Sequence, residues 1–402
     1  MLKNLLISLV SLTLSLLVAD WVLGRLALGP VFAKAKEQGV AYDTRDRLQV
    51  VFDYRRKDPD WFTQVPARTF IKHPLLIEGK RVQPLGGVAA AHIVGCNEGG
   101  FHSTFRNDEA GFPNPPGTWP LQARRYIFLV GDSFTEGACV NEGDSIADNL
   151  RKRYLDVVNL GMRGNGPLLE LATIREYVPR GRVAYVFWLY SEENDLRDLR
   201  AREEKDPLLV RYLEDGFTQN LWQRQGEVNA AVRAFAEHEI QAAENSRAII
   251  FPHLRDSLKQ LWYRRYNRGT DESDVIGGEG QLDLLLQIVR VAKHEVESKG
   301  GHFVFVYVPG KDRLGGGTMS PEAQLRDKVL DGVAALRVPI VDLVPPLSRH
   351  PDPLSLFPLR MTGHYTPDGY RMIAATLSDF LRTGDADSLR TIRVMAGVPA
   401  NR

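Results

Sequence analysis

Tyr126-Ile-Phe-Leu-Val130 runs directly into Gly131-Asp132-Ser133-Phe134-Thr135-Glu136-Gly137, and this junction decides the fold. An unbroken apolar run ending at a glycine predicts a strand buried on both faces, as in a parallel sheet covered by helices. The glycines permit a tight strand-to-helix turn. In an open parallel sheet, ligands bind outside the carboxyl ends of the strands. A serine at that point is offered to substrate while the sheet holds its backbone.

The same rhythm repeats on either side. Residues 144–153 and 167–178 read as helices, and 156–160 and 183–190 as strands. Further on, 281–299 is a helix with Leu282, Leu285, Ile288 and Val289 on its apolar side, stopped by Gly300-Gly301. A strand at 302–308, a helix at 320–336, a short strand at 339–342 and a final helix at 367–381 complete the pattern. Alternating strands and helices predict three α/β/α layers around a mainly parallel sheet. Residues 196–280 interrupt it with charged, mostly helical sequence, expected to be a helical insertion or lid whose charge runs are solvated faces. The expected division is 1–29 as a signal anchor, 30–120 as a stem and loop-strand prelude without its own core, 121–383 as the catalytic domain, and 384–402 as a tail.

At the N-terminus, Leu5–Ala19 is an uncharged apolar run preceded by Lys3 and followed by Asp20 and Trp21. As a helix those residues span about 22 Å, short of a hydrocarbon core of about 30 Å, and extension to Leu28 supplies the length. Trp21 suits a membrane interface. An uncleaved anchor in a bacterial-type inner membrane, with the body exported, is the expectation. The alternative is a signal peptide cleaved beyond the apolar run, leaving a secreted protein.

Composition narrows the function. With 51 basic and 50 acidic residues the net charge is +1, so nothing points to nucleic acid. Cys96 and Cys139 form no C-x-x-C pair, which gives a structural zinc site no support. Their spacing does not show that they meet, and two separate buried thiols are expected. No phosphate-cradling loop, dinucleotide fingerprint or metal-ligand cluster is present, so neither cofactor nor metal is expected.

Four blocks carry a more specific signal. They are Gly131–Gly137, Asn159-Leu-Gly-Met-Arg-Gly164, Glu192-Glu193-Asn194-Asp195 and Gly363-His364-Tyr-Thr-Pro-Asp-Gly-Tyr370. In this order they resemble the SGNH (GDSL-like) serine hydrolases over roughly 121–383, outside the insertion. The stretch Thr104–Phe112, with Asn107 and Gly111-Phe112, is similar to the segment before the catalytic block in membrane-anchored members. The resemblance implies a flavodoxin-like sheet, Ser133 as nucleophile, His364 as base, and an oxyanion hole using Gly164 and Asn194. The residue types suit that chemistry. A serine hydroxyl needs a base to take its proton, and a glycine N–H and an amide can meet the charge that develops on the substrate oxygen.

Two departures stand out. Glu192 occupies a position where the family often has glycine. The family's acid usually lies two or three residues before the histidine, where this chain has Met361 and Thr362. Asp352 is the nearest upstream acid and the candidate third member. Asp368 reads as part of a helix start. The expected function is hydrolysis of an ester on an O-acylated envelope carbohydrate or lipid, with an acylated small molecule or polysaccharide and the membrane as partners. Two readings share these residues: an O-acyltransferase acting on envelope polysaccharide, and a catalytically inactive polysaccharide-binding module of the same fold.

Overall fold

The computed structural model describes residues 2–26, 29–122, 124–247, 254–255, 257–258, 279–361 and 363–383. The expected tail at 384–402 and most of 248–278 lie outside the described residues.

Five strands form the central sheet: β1 (Tyr126–Gly131), β2 (Val157–Asn159), β3 (Val183–Ser191), β4 (His302–Val308) and β5 (Ile340–Asp342). They lie in the order β5-β4-β3-β1-β2, and every pairing is parallel. This is the flavodoxin-like order, in which the chain leaves β1 to one side for β2 and to the other for β3. The crevice at that switch point receives whatever follows β1 and β3, namely Ser133 and Asn194.

Strand side chains alternate between two cores, as the pleat requires. Phe128, Val130, Val186, Trp188, Phe305 and Tyr307 face one layer, with the helices Pro167–Tyr177 and Glu279–Ser298 over them. Ile127, Leu129, Phe187, Leu189, Val304 and Val306 face the other, under Ile146–Arg151 and Pro367–Thr383.

The prelude joins the first of these cores. A three-stranded sheet of Trp61–Thr63, His92–Val94 and Thr104–Arg106 sends Phe62, Ile93 and Phe105 into the same apolar cluster as Phe128 and Trp188. The insertion braces this arrangement. Its long helix, Gln225–Arg247, packs Phe235 edge-on against Phe70 at 5.3 Å, and Asn229 donates to the Glu109 carbonyl at 2.8 Å. Arg233–Asp60 and Arg55–Glu237 ion pairs flank that contact. Where the insertion begins, buried Glu203 accepts the Gly166 and Leu168 N–H groups at 2.7 and 2.8 Å, occupying the otherwise unpaired amino end of the helix Pro167–Tyr177.

At the N-terminus a single helix runs Leu2–Leu26. Its segment Leu6–Gly24 has a mean hydropathy of 2.1 and is long and apolar enough to cross a membrane or to serve as a signal sequence. Leu6, Leu9 and Leu14 project into the surroundings instead of into the body. A second helix, Gly29–Glu37, leads back to the body, where the Gln38 amide donates to the Leu359 carbonyl at 3.1 Å. The segment emerging from the apolar helix thus rests on the turn just ahead of His364.

Candidate active site

Asp132 N-caps a four-residue helix, Ser133–Glu136, by accepting the Phe134 N–H at 2.9 Å. This places Ser133 at the first helical position, directly past the end of β1. Asn159, at the end of β2, donates to the Thr135 carbonyl at 2.9 Å and accepts the Gly161 N–H at 2.8 Å, tying the Ser133 helix to the next loop. Buried Glu136 is held from two further directions, by Gln64 at 3.0 Å and Arg163 at 2.9 Å. Asn107 donates to Gln64 at 3.1 Å, so the prelude segment Thr104–Phe112 supports the Ser133 helix through Gln64.

His364 precedes the helix Pro367–Thr383 and faces Ser133, with Nε2 2.8 Å from the serine Oγ. Its Nδ1 lies 2.9 Å from Glu98 Oε1, and its backbone N–H donates to Glu98 Oε2 at 2.8 Å. A proton on Nδ1, donated to Glu98, leaves the Nε2 lone pair directed at the serine hydroxyl. Phe134 packs beside the imidazole, with ring centroids 5.1 Å apart.

Glu98 stands beside His364 Nδ1, in the place of a triad acid that the residues before His364 do not supply. Asp352, the candidate named from sequence, does not fill that place. It sits at the start of a surface 3-10 turn, and its carboxylate pairs with the Arg360 guanidinium. Asp368 pairs with Arg371 in the first turn of the final helix. Gly363 makes room for the substitute: a Cβ there would fall 2.4 Å from Glu98 Oε2.

Glu98 is fixed by its neighbours. Cys96, two residues earlier, forms a disulfide with Cys139, six residues after Ser133. The expectation of two free thiols is thereby corrected. The sequence did carry a signal, since Cys96-Asn97-Glu98-Gly99-Gly100 sets an acid between a cysteine and a flexible pair, and the second cysteine follows the nucleophile block closely. On its outer side the loop is held by Asn97, which donates to the Asp43 carbonyl at 2.9 Å, and by the Gly100 carbonyl, which accepts the Asp43 N–H at 2.8 Å. His102 spans the same loop, with Nε2 2.9 Å from the Arg45 carbonyl.

The charges reinforce one another. Burial opposes the imidazolium, but the Glu98 hydrogen bond and charge, with Asp132 nearby, outweigh it and hold the His364 pKa above its ordinary value. Burial opposes the Glu98 carboxylate as well, yet the contacts with His364 keep it below the usual glutamate value. Burial pushes Asp132 up to about 6, against hydrogen bonds from Asn194 and Phe134. Glu98 makes the direct hydrogen bond to the imidazole, and the Asp132 charge adds to its effect on His364.

Asn194 follows β3 and reaches Asp132, with its amide nitrogen 2.9 Å from Asp132 Oδ2 and 3.3 Å from Asp198 Oδ2, while its oxygen accepts the Ser191 hydroxyl at 2.6 Å. Its amide protons are therefore engaged by carboxylates, and donation to a substrate oxygen requires sharing one of them. Gly164 lies on the loop after β2 with φ +70°, a left-handed conformation that a side chain disfavours. Arg68 of the prelude fills the space a Cβ would enter, at 2.5 Å. The same loop is tied to β1 by the Met162 N–H, donated to the Gly131 carbonyl at 3.1 Å. Glu192 accepts the Gly310 N–H at 2.7 Å and the Tyr307 hydroxyl at 2.5 Å. It shapes the loop after β4.

No known family profile matches the sequence, and no curated protein matches it. Among solved structures, the chain is similar to a lipase/acylhydrolase from Enterococcus faecalis, with 12% identity, a TM-score of 0.36 and coverage of 67% of this chain and 98% of that one. It is also similar to protein YxiM of Bacillus subtilis, with 12% identity, a TM-score of 0.34 and coverage of 65% of this chain and 58% of that one. Similarity of this degree does not bear on what the chain acts on.

Proposed function

We propose that this chain is a serine ester hydrolase of the SGNH type, acting on an O-acylated carbohydrate or lipid of a bacterial-type cell envelope. The observation that carries the reading is the relay Glu98–His364–Ser133, with contacts of 2.9 and 2.8 Å. In the proposed cycle, His364 Nε2 takes the hydroxyl proton as Ser133 Oγ attacks the ester carbonyl. The imidazolium so formed is stabilised by Glu98. The proton then passes to the leaving alkoxide as the C–O bond breaks, leaving an acyl-serine. Water, activated by the same nitrogen, releases the acid and restores the serine. Gly164 and Asn194 are the proposed partners of the oxyanion, together with the Ser133 N–H.

The apolar helix supports a single-pass anchor in the inner membrane, with the catalytic body outside the cytoplasm. The Cys96–Cys139 disulfide favours an oxidising compartment for that body. The inactive binding-module reading rested on a missing acid, and Glu98 removes that support.

The test is hydrolysis of a chromogenic acetyl ester by the full chain in detergent, together with intact-mass analysis after treatment with an organophosphonate ester. Turnover and a single adduct, both lost in Ser133→Ala, are expected. No turnover and no adduct in the native chain, or an adduct that persists in Ser133→Ala, overturn the assignment.

A further inference from the structure

The acid and the nucleophile are supplied by different parts of the fold. Ser133 stands on the central sheet, whereas Glu98 stands on a prelude loop closed at its base by Gly95 and Ser103, where the Gly95 N–H donates to the Ser103 carbonyl at 2.7 Å. The outer side of that loop is pinned to Asp43. Toward the site, its described attachments are the Glu98–His364 hydrogen bonds and the Cys96–Cys139 disulfide. The backbone beside Cys139 is anchored to the final helix. The Tyr370 hydroxyl donates to the preceding Ala138 carbonyl at 3.2 Å, and the Cys139 Sγ lies 3.6 Å from His364 Nδ1. The bridge therefore runs beside the nitrogen that Glu98 must reach.

We propose that the Cys96–Cys139 disulfide is the positioning element of the catalytic acid, so that the oxidation state of this pair switches ester hydrolysis on and off. The proposal rests on the hydrolase reading above. Reduction by a dithiol proceeds by attack of its thiolate on one sulfur, which gives a mixed disulfide. The second thiol of the reductant then displaces the protein sulfur. Cys96 and Cys139 end as two thiols, having taken up two electrons and two protons, and the dithiol becomes a disulfide. Two things then change at His364. The loop that carries Glu98 loses its covalent tie to the nucleophile side, leaving only the Thr104 hydrogen bonds with Asn141 and Glu142 beside its base among the described contacts there, and a thiol appears within reach of Nδ1, where it competes with the carboxylate. A chain still in a reducing cytosol is held inactive, and export followed by oxidation completes the triad.

The test uses the full chain in detergent, oxidised or treated with dithiothreitol, beside Cys96→Ser/Cys139→Ser, Glu98→Gln and the triple variant. Reduction is expected to lower kcat on a chromogenic acetyl ester by about 10²-fold with little change in KM, the cost of misplacing a catalytic partner by roughly an ångström. Reoxidation restores the rate. The triple variant is expected to be no slower than Glu98→Gln alone, because both changes remove one interaction.

A second readout does not depend on turnover. In Ser133→Ala, the nitrogen resonances of His364 followed against pH are expected to show its pKa falling on reduction, in the same direction as in Glu98→Gln. Unchanged kcat and unchanged His364 titration after reduction overturn the proposal, as do losses that multiply in the triple variant. If the oxidised native chain hydrolyses no ester, the hydrolase reading fails, while the His364 titration still decides whether the disulfide positions Glu98. Should the serine pair unfold the chain, seen by circular dichroism, reduction of the native chain followed by thiol alkylation replaces it.

Discussion

Replacing Glu98 by glutamine changes one atom and tests the whole relay. Two donors converge on this carboxylate, the Nδ1–H and the backbone N–H of His364, and each has its own oxygen at 2.9 and 2.8 Å. Glutamine has one acceptor and one donor in the same place. If its oxygen stays with the backbone N–H, its NH₂ faces Nδ1, the ring proton moves to Nε2, and His364 can no longer accept from Ser133. If the amide flips, its NH₂ meets the backbone N–H, leaving a donor facing a donor in a partly buried site. The first arrangement is the wrong-tautomer state, for which loss of the acid lowers turnover by about 10⁴-fold. We expect kcat to fall by about 10³–10⁴, equivalent to about 4–5.5 kcal/mol, with KM little changed. The pH profile moves too. With the Glu98 hydrogen bond and charge gone, burial and Arg163 push the His364 pKa down against the remaining charge of Asp132 and Glu193, so the acid limb of kcat/KM shifts to lower pH while the plateau drops. Steady-state hydrolysis of an acetyl ester between pH 5 and 9 measures both quantities. A variant within threefold of the native kcat, or an acid limb that stays in place, refutes this account of Glu98.

Other outcomes follow from the same geometry. Asn194→Ala should lower kcat by about 10²–10³, as loss of one oxyanion donor does, and steady-state kinetics with the fold checked by circular dichroism reads this directly. Burial pushes Asp132 up to about 6, Glu193 up to about 7 and Glu203 up to about 8, and His364 is raised by Glu98. Each of these folded-state values exceeds the ordinary one, so the folded chain binds more protons, and the stability they contribute is lost as pH rises through them; Tm by differential scanning fluorimetry should fall from pH 5.5 to 8.5, and a flat or rising curve contradicts the assignment. Removing the disulfide, which spans 43 residues, should cost about 4 kcal/mol of chain-entropy stabilisation and lower Tm by about 5 °C. Deleting residues 1–28 should release a folded, soluble body, since the apolar helix adds little to either core; a product that sediments unfolded would show the helix to be part of the fold.

The sheet was legible because its signal is local. Runs such as Tyr126–Val130 and His302–Val308 need no distant partner to be recognised, and the glycine that ends β1 announces the turn that carries Ser133. His364 was legible for the same reason, through its contiguous block. Glu98 was not, because its role depends on a contact across 266 positions of sequence that no local pattern encodes. The disulfide was half legible: both cysteines were visible, but their meeting is a property of the folded prelude. Insertion residues such as Glu203 read as solvated charge, although burial against the helix Pro167–Tyr177 makes this one an internal cap. Charge runs on amphipathic helices look alike in sequence whether one member turns inward or none does.

The bridge between Cys96 and Cys139 closes a covalent ring, and both Glu98 and Ser133 lie within it, while His364 does not. A backbone cut anywhere in the ring, in the Gly-Pro-rich end of the prelude at 111–120 for example, leaves Glu98 and Ser133 joined through sulfur. Such a nicked molecule runs as one species until it is reduced. Recombination at the apparent edge of the catalytic domain, near residue 121, does the opposite. It transfers Ser133 and His364 and leaves Glu98 behind, so the smallest heritable unit of this three-residue constellation begins upstream of the sheet on which its serine stands.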